Sequence, residues 1–303
     1  MKLKKINIIL LVNMLIFTSV CHVSAMDGDG SKYGKVISKK EGKIFQEFPI
    51  TKEVKELQED KSIIAELYMR EKKGEISKDE YNNEIKKLNI SNNDLFLNIK
   101  SISSKNIEYT VTIDAIESAT ASETRIWDLV QQSQQTNYYC GPATASEIIK
   151  ARINSLYSQS SLASDLRCTT SGTAWYDGAG KTGYPMADTL NKFCSTMNWY
   201  APYGTNVDTN KFKDHIVFDI DMDYGVAGDA YEVVGGKHLI GHPDKNIFHW
   251  FAIDGYKDYG NVIWYLDSVS GSSSISWSSS VPKYSSMNAI DLAEIVNGRG
   301  IIW

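Results

Sequence analysis

The sequence lacks the features that mark several classes of protein. Positive charge is not in excess, because 32 Lys and Arg residues stand against 37 Asp and Glu residues and give a formal net charge of -5. No basic patch is interleaved with aromatic residues, so nothing favours nucleic-acid binding. The apolar run from Ile8 to Val20 is too short and too close to the N-terminus for a membrane span. With 303 residues, 42% of them hydrophobic, the composition suits a soluble protein of one or two domains.

The short apolar run fits a secretory signal peptide instead. It follows the basic segment Met1–Lys5 and precedes the segment from His22 to Ala25, whose small residues provide a cleavage site. We therefore expect residues 1–25 to be a signal peptide cleaved after Ala25. The protein would then be secreted, with no stable membrane insertion after cleavage. Cys21 does not favour a lipoprotein, since a valine precedes it where a lipobox has a small residue.

Tryptophan is absent from the first part of the chain, since all seven tryptophans follow Arg125. The stretch from Lys32 to Lys105 is instead dense in Lys and Glu. This change of composition predicts a boundary near Thr120 to Arg125. We therefore expect a charged N-terminal region at residues 26–125 and a second domain at residues 126–303.

The charged N-terminal region is predicted to be mostly helical. Helices are predicted at Lys52–Lys73 and Ser77–Leu88, and Ser77 with Glu80 has the spacing of a capping box. The segment Ile107–Ile116 alternates as a strand does. Such a region is an inhibitory propeptide, a cell-surface spacer, or only a charged and partly ordered linker. The sequence leaves these alternatives open.

A cysteine in the second domain stands at the predicted start of a helix. Apolar residues recur at helical spacing from Ala143 to Leu156, and Cys140 precedes them after a polar, turn-forming run. The free amides and the dipole at a helix start favour a thiolate over a thiol. Gln134 lies on the entering loop, where its side-chain amide could donate to an oxyanion formed when Cys140 attacks a carbonyl. Gly141 would let the backbone pass close to whatever occupies the site.

A nucleophilic cysteine needs a base, and the base needs a group that orients it. His249 lies near the start of the apolar segment 248–256, which is typical of a buried strand. The next predicted strand, 262–266, is followed directly by Asp267. Because the two strands would pair in antiparallel fashion, we expect the Asp267 carboxylate to reach the ring of His249.

The order of predicted elements in the second domain indicates an α+β fold, because helices come first and antiparallel strands follow. After the Cys140 helix, further helices are predicted at 160–167 and 185–197, separated by the glycine-rich loop 172–183. The predicted strands are His215–Ile220, His249–Tyr256, Asn261–Leu266 and Gly300–Trp303.

These residues together resemble a known family. The set that carries the resemblance to papain-like cysteine peptidases is, in chain order, Gln134, Cys140-Gly141-Pro142-Ala143, His249-Trp250, Gly255-Tyr256 and Asp267. Within that group, the stretch from Ile126 to Trp303 is similar to the bacteriocin-processing (double-glycine) peptidases, family thirty-nine of the cysteine peptidases. The local cathepsin-type signature is absent, because Pro142 and Ala143 stand where that signature has a small residue and a second cysteine.

The resemblance implies a papain-like fold, in which N-terminal helices pack on an antiparallel sheet. It implies a cysteine peptidase that acts on a protein or peptide substrate without a cofactor or a metal. Cys140 would be the nucleophile, His249 the base oriented by Asp267, and Gln134 an oxyanion donor. These 303 residues include no membrane transporter or nucleotide-binding domain such as bacteriocin exporters have, so double-glycine leader specificity is not carried over. Residues 26–125 would be able to inhibit the enzyme intramolecularly.

Two further cysteines, Cys168 and Cys194, lie in the second domain beside Cys140. In a secreted chain they are expected either to form one disulfide, which leaves Cys140 free, or to be two buried thiols that behave as small hydrophobic residues.

Two other groups of polar residues have spacings similar to those of metal ligands. Asp219, Asp221 and Asp223 alternate as in a calcium loop, but the required glycine and glutamate are missing, so an exposed strand face is the preferred interpretation. His238 and His242 have the spacing of zinc ligands on a helix, but the glycines and the proline around them exclude a helix there. The loop from Tyr231 to Asp244 is instead expected to overhang the active-site cleft.

Two functions remain as alternatives to a peptidase. The same triad could serve a cell-wall amidase or a transamidating enzyme, and Trp175, Tyr176 and Trp250 could line a pocket for either. The second alternative is a non-catalytic surface-binding module that has kept the peptidase fold and lost turnover.

Overall fold

The computed structural model of the protein describes residues 34–88, 123–195 and 198–303. The predicted signal peptide at 1–25 and the predicted strand at 107–116 lie outside these ranges. The helices are α1 (Lys52–Lys72), α2 (Lys78–Lys87), α3 (Cys140–Ile153), α4 (Gln159–Asp165), α5 (Pro185–Cys194), α6 (Thr209–Asp221) and α7 (Ala289–Val296). The strands are β1 (Lys35–Lys40), β2 (Lys43–Glu47), β3 (Glu123–Arg125), β4 (Pro202–Gly204), β5 (Val226–Glu232), β6 (Ile247–Lys257), β7 (Val262–Leu266), β8 (Tyr284–Asn288) and β9 (Gly300–Ile302). None of these helices has both the length and the apolar character that a membrane crossing needs.

Side-chain caps fix the starts of several helices. The Thr51 side chain accepts a hydrogen bond from the Val54 amide and starts α1. Ser77 and Glu80 form both hydrogen bonds of a capping box at the start of α2, which confirms the predicted motif. Asp208 accepts from two amides in the first turn of α6. Because such caps and the apolar periodicity are local, the helices predicted from the sequence before and after Cys140 are confirmed to within a few residues.

One antiparallel sheet of seven strands carries the second domain. Six strands follow the order β4-β9-β5-β6-β7-β8, and β3 pairs with the C-terminal half of β6. The long strand β6 is central, because β5 pairs with its first half and β7 with its second half. Helices α3 and α6 both pack against β6. Mixed helices with an antiparallel sheet agree with the predicted α+β class.

The predicted strand at His215–Ile220 is wrong, since this segment is part of helix α6. Six consecutive residues, from His215 to Ile220, are buried, and so is Phe212. The sequence therefore shows a mostly apolar run without helical periodicity. A short run of this kind does not distinguish a buried strand from a buried helix. The cap at Asp208 is the signal that distinguishes them.

The charged N-terminal region shares its core with the second domain. Leu57 and Ile64 of α1 and Tyr81 of α2 belong to the same buried cluster as Trp250 and Phe251 of β6. Helix α1 packs along α6. The predicted boundary near Thr120–Arg125 overlaps residues 89–122, which lie outside the described ranges. The described residues on the two sides of this boundary form one hydrophobic core.

A buried ion pair joins α1 to the second domain. The Lys61 ammonium lies 2.9 Å from an Asp219 carboxylate oxygen, and both side chains are fully buried. The ammonium also lies over the ring of Trp199 at 4.5 Å and over the ring of Trp303 at 4.2 Å. Burial lowers the pKa of Lys61 to about 8 and raises the pKa of Asp219 to about 6, with their mutual attraction opposing both shifts. Both groups therefore carry charge at neutral pH.

Polar contacts at two further places attach the N-terminal region. Asp221, at the end of α6, accepts hydrogen bonds from Tyr68 at 2.8 Å and from Tyr256 at 2.7 Å, and it pairs with Lys72 of α1 at 3.0 Å. Lys43 of the β1–β2 hairpin donates to the carbonyl of Ile295 in the last turn of α7, where a cation is favoured. The described N-terminal residues are therefore held by polar contacts as well as by the shared core.

Replacement of Lys61 by Met should destabilise the protein by about 3–5 kcal/mol, because it leaves the buried Asp219 carboxylate without a cation. The double variant Lys61→Met/Asp219→Leu should lose less, since no unpaired buried charge remains. Urea unfolding measures both. Lys55→Met is the matched control in the same helix, because the Lys55–Glu59 pair is exposed; it should change stability by less than about 1 kcal/mol. Equal losses for Lys61→Met and Lys55→Met would contradict the interpretation.

Candidate active site

Cys140 is the first residue of α3, as the sequence predicts, and its side chain is buried. The next residue has to be glycine, because a Cβ at Gly141 would meet the Thr173 side-chain oxygen at 2.3 Å. The close approach expected at Gly141 is thus made by Thr173 of this chain. Trp250 fixes that neighbour by donating from its indole to the Thr173 carbonyl at 2.9 Å. The start of α3 is therefore packed directly against the loop that contains Thr173.

His249 and Asp267 form the predicted pair. His249 lies on β6, and its Nε2 atom is 2.9 Å from Oδ1 of Asp267, which follows β7. Both side chains are buried. The Cys140 side chain is close enough to the same ring to raise the pKa of His249. Because Nε2 faces Asp267, Nδ1 is the ring nitrogen that remains for an interaction with the thiol. The order of the three side chains is then Asp267, His249 and Cys140.

His249 and Asp267 stabilise each other's charged forms. Burial disfavours an imidazolium at His249, but the Asp267 carboxylate and the Cys140 sulfur outweigh it and raise the pKa of His249 to about 9. Burial likewise disfavours a charged Asp267, yet the rings of His249 and His242 hold the pKa of this carboxyl well below its ordinary value. The arrangement can therefore hold an imidazolium beside the sulfur at neutral pH, the state in which a cysteine acts as a nucleophile.

Gln134 is buried beside the residue that follows Asp267. Its side-chain oxygen accepts from the Ser268 hydroxyl at 3.2 Å, and its side-chain nitrogen donates to the Thr136 carbonyl at 2.8 Å. One of the two N–H groups of the amide is therefore engaged within the loop. The predicted oxyanion role requires the other N–H group.

A second histidine, His242, contacts the far side of Asp267. Its Nε2 atom lies 2.9 Å from Oδ2 of Asp267, and its Nδ1 atom lies 2.9 Å from Oε2 of Glu232. In the sequence, the spacing of His242 from His238 suggests only a zinc ligand. In the structure His238 turns away, with its ring nitrogens near the carbonyls of Gly236 and Lys245. No spacing in the sequence indicates the pairing of Glu232 with His242.

A family model described as Peptidase_C39 like family matches residues 127–288, which is more than half of the 303 residues. The chain belongs to the Peptidase_C39-like family. The matched range contains all four predicted site residues, Gln134, Cys140, His249 and Asp267. A search of curated proteins found no match. Membership of this family connects the chain to cysteine peptidases and to protein or peptide substrates.

In this C39-like protein the histidine-rich cluster is a chain of hydrogen bonds. The side chains of His242, His249 and Asp267 are close enough together to surround an ion, with their polar atoms within 4.8 Å of one another. Those same atoms, however, already bond to one another or to Glu232. Binding of an ion there would require these hydrogen bonds to break.

The alternating aspartates are not an exposed strand face. Asp219 and Asp221 lie in α6, where Asp219 pairs with Lys61 and Asp221 with Lys72. Asp223 follows the helix and pairs with Arg152 at 3.3 Å. The three carboxylates thus point to three different cations of the protein, rather than converging as calcium ligands do.

The remaining cysteines of the C39-like domain are free thiols, so the expected alternative of a Cys168–Cys194 disulfide is not formed in the structure. Cys194 is buried at the end of α5, and burial raises the pKa of its thiol to about 12. Cys168 is half-buried and donates to the Tyr138 carbonyl at 3.4 Å. The alternative of two thiols outside a disulfide is the one that the structure contains.

Replacement of Asp267 by Asn should lower the pKa of His249 from about 9. The carboxylate favours the imidazolium, whereas burial, which opposes it, remains; the expected decrease is about one to two units. The imidazolium would then be lost at a lower pH in the variant than in the wild type. NMR titration of the His249 ring protons measures this change. Asp258→Asn, in the turn between β6 and β7, is the control, and an unchanged His249 titration in Asp267→Asn would contradict the assigned cause.

Proposed function

We propose that the protein is a secreted cysteine peptidase with a papain-like fold, in which Cys140, His249 and Asp267 hydrolyse peptide bonds with Gln134 as an oxyanion donor. The observation that carries this proposal is the buried pair of His249 and Asp267, whose histidine ring is close enough to the Cys140 side chain for the sulfur to raise the pKa of His249. It is supported by membership of a cysteine peptidase family and by the position of Cys140 at a helix start, against the strand that carries His249.

The geometry supports a two-stage acyl transfer. The Cys140 thiolate attacks the substrate carbonyl, and the negative oxygen that forms receives hydrogen bonds from the free N–H of Gln134 and from the Cys140 amide. The C–N bond then breaks, and the His249 imidazolium gives its proton to the leaving amine. His249, now neutral, takes a proton from water as the water attacks the thioester. The C–S bond then breaks, which releases the carboxyl product and restores the Cys140 thiolate beside the His249 imidazolium. Asp267 keeps the ring of His249 oriented throughout.

The variant Cys140→Ala should lose both peptide hydrolysis and fast labelling by iodoacetamide, while its fold remains intact. Peptide mapping by mass spectrometry identifies the labelled thiol, and cleavage of an unstructured protein such as casein measures hydrolysis. Cys168→Ala is the matched control, because Cys168 is another free and less buried thiol of the same domain. It should keep the activity of the wild type.

Three results would count against peptide hydrolysis by Cys140. Cleavage of casein by Cys140→Ala would exclude Cys140 as the nucleophile. Release of peptide-stem fragments from purified peptidoglycan without cleavage of proteins would favour an amidase. If Cys140 does not react with iodoacetamide at neutral pH, the result would favour a binding module without turnover.

Secretion is proposed on the sequence of residues 1–25 alone. We expect the protein in the culture medium to begin at Met26, and the intact mass of the secreted protein measures this. A secreted protein that still contains the segment from Met1 to Ala25, or retention of the protein in the cells that make it, would contradict the proposal.

Intramolecular inhibition by residues 26–125 stays a prediction. The polar contacts described above for residues 34–88 are made with α6, with α7 and with the rings of Trp199 and Trp303, and they support the fold of the peptidase domain. Incubation of the secreted protein under reducing conditions, beside Cys140→Ala, would detect self-processing near Arg125 by mass spectrometry.

A further inference from the structure

The side chain of His242 is enclosed between two carboxyl groups. Both ring nitrogens lie 2.9 Å from a carboxyl oxygen, Nδ1 from Glu232 and Nε2 from Asp267, and all three side chains are almost fully buried. An ionised carboxylate only accepts hydrogen bonds. Two such acceptors are both satisfied only if both ring nitrogens carry a proton, so this geometry fits an imidazolium.

Other contacts of the two carboxylates are consistent with the ionised forms. The second oxygen of Glu232 accepts from the Leu239 amide at 2.8 Å. The Oδ1 atom of Asp267 accepts from the Val269 amide at 2.8 Å as well as from His249. Each carboxylate therefore faces donors on both of its oxygens, and the charges alternate from Glu232 through His242 and Asp267 to His249.

The loop between β5 and β6 is shaped to hold His242 in this place. Gly241 has a positive φ of 85°, and a Cβ there would meet the Ser280 carbonyl at 2.1 Å. The Ile240 amide donates to the Tyr265 hydroxyl at 3.0 Å. The ring of Trp277 packs edge-on against the His242 ring at 4.7 Å. The ring is thus fixed from several sides in addition to its hydrogen bonds.

We propose that Glu232 and His242 are positioning residues of the active site: Glu232 orients the His242 ring and stabilises its imidazolium form, and the His242 imidazolium orients Asp267 and keeps it ionised for His249. This inference rests on the proposed peptidase function, because it concerns the same site. Neither residue touches the sulfur in this arrangement, so both act through Asp267.

The electrostatics of the site agree with this role. Burial disfavours a charged His242, but Asp267 and Glu232 outweigh it and raise the pKa of His242 to about 10. The charged and titratable groups that face His242 directly are Glu232 of β5 and Asp267 after β7. Behind them, Glu147 of α3 interacts with Asp267, and Asp229 of β5 interacts with His249 of β6. Without His242, the buried carboxylates of Glu232 and Asp267 would lose the cation between them.

Two variants separate the charge of His242 from its geometry. In His242→Phe the ring shape remains but both hydrogen bonds are lost. In Glu232→Gln the amide can accept from Leu239 and donate to Nδ1, so His242 becomes neutral while its Nε2–H still donates to Asp267. His238→Phe is the matched control, since it makes the same substitution in the same loop without touching Asp267.

The first measurement is the rate at which iodoacetamide labels Cys140 at neutral pH, with peptide mapping to separate Cys140 from Cys168 and Cys194. The rate should fall about ten- to a hundredfold in His242→Phe, as expected for loss of a hydrogen bond between charged groups. Glu232→Gln should lie between this variant and the wild type. His238→Phe should react like the wild type. A His242→Phe variant that labels as fast as the wild type would overturn the proposal.

The second measurement is the protonation state of His242, from long-range proton–nitrogen NMR spectra of protein with nitrogen-15-labelled histidine. The whole sequence has only five histidines, so signals are assigned by single substitutions. Both ring nitrogens of His242 should be protonated at neutral pH in the wild type, and only one in Glu232→Gln. An unprotonated His242 nitrogen in the wild type would overturn the proposal even if His242→Phe does not fold.

These measurements separate the two proposals. A wild-type Cys140 that labels no faster than Cys168 would end the peptidase proposal, whatever the state of His242. A fast wild-type Cys140 whose rate is unchanged in His242→Phe would end only the positioning role. Circular dichroism of each variant verifies its fold.

Discussion

The candidate site depends on one buried carboxylate, that of Asp267. Burial of a charge is strongly unfavourable unless donors and opposite charges surround it. Asp267 has both, because two histidine rings and the Val269 amide donate to its oxygens. Removal of any of these partners would leave part of the buried charge uncompensated. The carboxylate in turn determines where the two rings stand, and therefore which nitrogen of His249 faces the sulfur.

The segment that leads to Cys140 is tied to the same place. Gln131 donates to the carbonyl of Asp267 at 3.0 Å, and Ser133 donates to the carbonyl of Ser270 at 2.6 Å. The Gln134 backbone is bonded on both sides, with its amide to Ser268 and its carbonyl to Ser272. The loop before the nucleophile and the loop after the acid therefore form one network, which positions the start of α3 relative to β7.

The N-terminal region contributes to the structure from the side of α6. Its buried Lys61 and the cluster around Asp221 attach α1 to a helix that itself packs on β6, the strand that carries His249. A boundary in composition is thus not a boundary in packing among the described residues. High Lys and Glu content is compatible with a shared core, because charged side chains cover the exposed faces of α1 and α2 while their apolar residues face inward.

Features that are local in the chain could be predicted from the sequence. Apolar periodicity and caps located the helices, and the start of α3 at Cys140 followed from them. His249 and Asp267 could be paired because they lie on strands joined by a short turn. Other features depend on the tertiary structure and could not be predicted. Helix α6 is buried on most sides, and its sequence therefore shows no helical period. Lys61 contacts Asp219 only because two helices that are distant in the sequence pack together. Glu232 and His242 meet because the loop after β5 folds back toward Asp267, and no local pattern encodes a contact that long-range packing creates.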